Sequence, residues 1–233
     1  MRIVVLRFAV CAAVLGPAQA RAHDLRLERS GGGFALRAGH AGHAGGGTEA
    51  IDPSIVKEVH CARAGEPVRV LAPRAGEGGT VRVDGRCDAA SALVDHGFFV
   101  VTPDGEKHLR KSEARDAVKS WRSRQFAKWL DARAPVAPPF GDALEIVPVT
   151  DLARARVGEK LTLRVLLDGR PVAGAIVSVG HERLAETSSA GEARVKVRRA
   201  GLESISATFR RPLGTPDADT EVLEASLSFE VPR

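Results

Sequence analysis

Leu223-Glu224-Ala225-Ser226-Leu227-Ser228-Phe229-Glu230-Val231 sets an apolar side chain at every second position. Successive side chains of a strand point to opposite faces, so this stretch predicts a β-strand with one face in a core. The residues before it repeat the pattern. Leu161, Leu163, Val165 and Leu167 alternate strictly and stop at the turn signal Asp168-Gly169. Ala193, Val195 and Val197 follow Gly191, and Ile205, Ala207 and Phe209 follow Gly201. With Leu144 to Val149, Ala175 to Val179 and a weak strand near Leu184, about seven strands fit into residues 142–233. That number and spacing predict an immunoglobulin-like β-sandwich.

Upstream, Pro135, Pro138, Pro139 and Gly141 predict a stiff linker over 135–141 and a domain boundary there. Residues 23–134 read as a small antiparallel β domain. Leu25 and Leu27, Phe34 and Leu36, Val68 and Val70, then Val81 and Val83 alternate with polar residues, and the run from Ala92 to Val101 ends at Pro103-Asp104-Gly105. The pattern changes from Ser112 to Arg133. No Gly or Pro interrupts it, and Ala114, Ala117, Val118 and Trp121 share a helical face that Phe126, Trp129 and Leu130 continue. A helix with Ser112 as N-cap is expected there. The fold class expected is therefore mainly β: a small antiparallel domain carrying a helix, followed by a sandwich.

Residues 1–22 read as a secretory signal peptide: Arg2, an apolar stretch from Ile3 to Leu15, then small residues ending Ala20-Arg21-Ala22. Arg7 leaves that stretch too short to span a membrane. The whole chain of 233 residues carries a formal charge of +5, but Arg2, Arg7 and Arg21 lie in the leader. Cleavage leaves 31 basic against 29 acidic residues. Near neutrality, with 4% aromatic residues and no tyrosine, gives no case for nucleic acid as a partner. A periplasmic location follows. Of the cysteines left after cleavage, Cys61 and Cys87, neither lies in a C-x-x-C pair, and an oxidising compartment predicts that they form a disulfide.

Cleavage after Ala22 makes His23 the first residue. An N-terminal histidine offers a metal two nitrogens at once, the α-amine and the imidazole Nδ1. A second cluster is Gly39-His40-Ala41-Gly42-His43-Ala44-Gly45-Gly46-Gly47, where small neighbours leave two imidazoles unhindered. Three imidazoles and one amine make a nitrogen set that suits Ni2+ or Cu2+, with Co2+ as a further candidate. His96, in the expected turn Asp95-His96-Gly97, and His108 are secondary candidates, with Asp24 and Asp52 as carboxylates able to orient an imidazole. His60 and His181 read as surface or structural. No G-x-S-x-G, H-E-x-x-H, P-loop or G-x-G-x-x-G occurs, and no enzyme activity is expected.

Several blocks also carry a family likeness: Ala22-His23-Asp24-Leu25, the loop Gly39-His40 to His43, Ile51-Asp52-Pro53, Lys119 to Ala127, Leu144 to Val149 and Leu166 to Ala175. Together they resemble the bacterial extracytoplasmic proteins described as nickel-uptake substrate-specific components. Members of that family often accompany energy-coupling-factor type nickel or cobalt transporters. The resemblance spans almost the whole mature chain, and His23, His40 and His43 match the family's histidine-bearing motifs. It implies an exported protein that captures nickel or cobalt and passes it to the membrane components of an uptake transporter. Two other readings fit an N-terminal histidine or an immunoglobulin-like domain: a periplasmic copper-binding or copper histidine-brace protein, and a structural cell-envelope adhesion module.

Overall fold

The structure is a computed structural model that describes residues 25–39, 49–134, 139–180 and 182–233. The expected signal peptide, His23, Asp24, His40, His43, His181 and residues 135–138 of the expected linker lie outside the described residues. Within them the chain is almost wholly β. In the first part the strands are β1 Leu25–Ser30, β2 Gly33–Ala38, β3 Val56–Ala62, β4 Arg69–Val70, β5 Pro73–Ala75, β6 Val81–Asp84, β7 Ala89–Thr102, β8 Gly105–Lys107 and β9 Lys119–Leu130. The second part forms β10 Leu144–Pro148, β11 Lys160–Leu167, β12 Arg170–Pro171, β13 Ile176–Val179, β14 Glu182–Glu186, β15 Glu192–Lys196, β16 Gly201–Thr215 and β17 Ala218–Val231.

One sheet of nine strands runs through both parts in the order β14-β13-β16-β17-β9-β7-β3-β4, with β8 on β7. Two four-stranded sheets accompany it: β1-β2-β6-β5, and β10-β11-β12 with β15 also paired to β11. The join is a parallel ladder between β17 and β9, from Thr220 opposite Trp121 to Phe229 opposite Leu130. The residues on either side of the proline-rich stretch thus share one sheet in a sandwich-like arrangement.

The helix expected over residues 112–133 is corrected. Lys111–Glu113 is a single 3-10 turn, and Lys119–Leu130 is the central strand β9, flanked by β17 and β7. A strand buried on both faces lacks the apolar-polar alternation that betrays a half-buried one. Phe126 and Leu130 enter a core with Leu144, Ile146, Leu163, Leu227 and Phe229, whereas Ala127 and Trp129 enter the other with Leu27, Phe34, Leu36 and Val83. Those four residues also satisfy helical spacing, which is why the periodicity misleads. Two of the basic residues of β9 are paired inside the sheet: Arg124 with Glu221 at 2.6 Å and Lys128 with Glu145 at 2.6 Å.

The cysteines form the expected disulfide, Cys61–Cys87. It ties β3 of the large sheet to the segment after β6 of the smaller one, within the core that holds Trp129. Where β2 meets β6, a β-carbon on Gly33 would lie 2.1 Å from the Val83 carbonyl oxygen, so only glycine allows this approach. The disulfide points away from a reducing cytoplasm. Among the described residues no helix is long and apolar enough to cross a membrane.

Candidate functional site

The β1–β2 ladder ends where Leu25 faces Ala38, and an isolated antiparallel bridge joins Ala38 to Glu49, whose amide donates to the Ala38 carbonyl at 3.2 Å. These three residues line a cleft of about 610 Å³. Its opposite wall is the nine-stranded sheet, contributing His96 and Phe99 of β7, Trp121 and Gln125 of β9, and Val222 and Glu224 of β17. That volume is typical of a site for a small ligand. Glu49, Glu106 and Glu224 face Arg210 alone among the lining Asp, Glu, Lys and Arg residues, giving the cleft an acidic balance.

The wall depends on a bulge. Asp95 pairs with Arg124 and Gly97 pairs with Ser123, leaving His96 as the extra residue on β7. The turn expected at Asp95-His96-Gly97 is therefore corrected to a bulge within a continuous strand. A one-residue slip reverses the faces beyond it, so His96 and Phe99 both reach the cleft. Gly97 takes φ +79, a left-handed conformation that glycine adopts without strain, and its amide donates to Asp95 Oδ1 at 3.0 Å. Burial alone raises the Asp95 carboxyl, but hydrogen bonds from Arg122 and Gly97 outweigh it and hold the group below its ordinary range.

His96 Nε2 lies 2.8 Å from Gln125 Oε1, and Gln125 Nε2 donates to Glu224 Oε2 at 2.6 Å. Gln125 and Glu224 are registered neighbours on β9 and β17, so the parallel pairing itself aligns them. His108 serves differently. Its Nε2 donates to the His96 carbonyl at 2.6 Å and its ring stacks on Phe99 at 4.7 Å, with Phe99 stacked in turn on Trp121 at 5.5 Å. The residue buttresses the bulge and is not among those lining the cleft.

Asp52 caps the 3-10 turn Pro53–Ile55 by accepting from the Ser54 amide at 2.8 Å, which holds its carboxyl below the usual range. His60 stacks on Phe140 with ring centres 6.1 Å apart. Among the described residues no group of three or more His, Cys, Asp or Glu side chains gathers as a metal site. His96 is the described candidate that reaches the cleft. Gln125 and Glu224 escape sequence reading because neither forms a local motif and 99 positions separate them.

Compared with curated proteins and with solved structures, the chain matches none. A family model described as a domain of unknown function, DUF4198, matches residues 38–210, which include the bulge, the strand β9 and most of the cleft wall. With well over half of its length matched, the chain belongs to the DUF4198 family.

Proposed function

We propose that the protein is an exported carrier that captures nickel, or cobalt, and hands it to the membrane components of an uptake transporter. The observation that supports this reading is the meeting of Leu25, Ala38 and Glu49 at one cleft that also holds His96. His23 stands two positions before Leu25, His40 two positions after Ala38, and His43 between Ala38 and Glu49. The acidic balance of that cleft favours a cation. The resemblance of the blocks around His23, His40 and His43 to nickel-uptake components favours nickel as cargo, and the disulfide agrees with an oxidising compartment.

The test begins with mass spectrometry of the exported protein, expected to begin at His23, followed by titration of the mature form with nickel. His23→Ala, or one extra residue placed before His23, is expected to weaken binding by at least about tenfold, the loss of one chelate ring. Unchanged affinity in both variants overturns the reading. Copper in place of nickel on protein taken from its native host moves the reading to a copper carrier. Protein that binds no metal after gentle purification supports a structural envelope module.

A further inference from the structure

We propose that Gln125 and Glu224 are positioning residues that fix the His96 ring as the Nε2–H tautomer, making its Nδ1 the metal donor contributed by the folded β body. The inference rests on the metal-carrier reading above and adds to it the residues that prepare the site. A carboxylate accepts only, so the Gln125 group 2.6 Å from Glu224 Oε2 is the amide NH2. Its carbonyl oxygen is then the atom 2.8 Å from His96 Nε2, and a carbonyl can only accept. His96 must donate through Nε2. In the neutral ring the lone pair is left on Nδ1.

Metal-bound histidines share this arrangement: the second ring nitrogen donates to a carbonyl or carboxylate, which sets the tautomer and the ring plane. Here the orienting group is itself oriented, because Glu224 fixes which way the Gln125 amide turns. The backbone contributes too. His96 is the extra residue of the bulge, its carbonyl is held by His108, and Gly97 leaves no room behind it, since a β-carbon there would meet His108 Nε2 at 3.0 Å. A ring restrained at its backbone and at one nitrogen binds a cation with little ordering left to do.

The first measurement needs no variant. Nitrogen NMR of 15N-histidine-labelled, metal-free mature protein, recorded at pH 8, is expected to show the proton of the His96 ring on Nε2; a ring proton on Nδ1 overturns the proposal. Nickel titration then tests the donor role. His96→Ala and Gln125→Leu are each expected to weaken nickel binding by about tenfold or more, with the Gln125→Leu ring becoming a mixture of tautomers. Combining Gln125→Glu with Glu224→Gln rebuilds the chain of donors, since the new amide donates to a carboxylate that still accepts from Nε2–H. This pair is expected to restore affinity to within about threefold of wild type, a recovery that mere damage to packing does not produce. Unchanged affinity in Gln125→Leu, or no recovery in the paired variant when circular dichroism shows it folded, overturns the role of the relay. Wild-type protein that binds no nickel, cobalt or copper overturns the donor role. An Nε2-protonated ring in that case places the failure in the carrier reading and not in the relay.

Discussion

Lys128 Nζ meets Glu145 Oε1 at 2.6 Å with the two side chains only 3% and 2% exposed, so β9 and β10 are joined by an ion pair closed off from water. Glu145 also accepts from the amides of Phe140, at 2.9 Å, and Gly141, at 3.1 Å. One carboxylate thus anchors both the central strand and the end of the proline-rich stretch. Removing one partner of such a pair strands the other as a bare buried charge. Lys128→Ala is expected to lower unfolding free energy by about 3–5 kcal/mol in urea titrations. Lys128→Met combined with Glu145→Gln leaves no charge behind and should recover most of that loss.

Asp142 accepts from Ser91 beside this pair, and its carboxyl is pushed up to about 6, first by burial and then by repulsion from Glu145, against the lowering effect of the Ser91 hydroxyl. The folded state therefore holds the proton more tightly than the unfolded chain. The stability this proton supplies is complete below the unfolded value near 4 and is lost as pH rises through about 6. Asp142→Asn keeps an acceptor for Ser91 without the charge. Its stability relative to wild type should climb between pH 4.5 and 7 and level off near 2–3 kcal/mol, on the order of two pKa units. A flat difference across that range refutes the assignment.

Reduction of Cys61–Cys87 should leave a protein that still folds but unfolds more easily. The bridge closes 26 positions of chain, for which loop entropy gives roughly 3–4 kcal/mol. Thermal melts of the wild type and of Cys61→Ser combined with Cys87→Ser check this, the expectation being a Tm lowered by several degrees or more.

Adjacent glycines give an internal control. Gly33→Ala forces β2 away from the Val83 carbonyl and is expected to cost about 1–3 kcal/mol or more. At Gly32 an added β-carbon meets nothing within 4 Å, so Gly32→Ala should lie within about 0.5 kcal/mol of wild type. Equal effects at the two positions count against the close packing of β2 on β6.

Legibility in the sequence followed the physics of each strand. β11 and β17 announce themselves because one of their faces is apolar at every second residue, and β1, β2 and β6 do so for the same reason. β9 does not. It serves two cores at once and carries Arg124 and Lys128, whose partners, Glu221 and Glu145, are remote in the chain. The disulfide was readable because two cysteines in an oxidising compartment have one intramolecular choice. The cleft wall was not, because its placement depends on a single extra residue in β7 and on strand pairing between residues 99 positions apart. His96 carried a hint through its chemistry, and Gln125 and Glu224 carried none.

The parallel ladder between β9 and β17 also dictates an order of events. A chain emerging N-terminus first exposes residues 119–130 well before residues 218–231 arrive to cover their flank. Until then a long, unsheltered strand edge waits beside β7, and such edges recruit other chains. Contacts this distant in sequence form slowly. β17 therefore acts as a latch, and the interval before it shuts is when the newly made protein has most to gain from a chaperone.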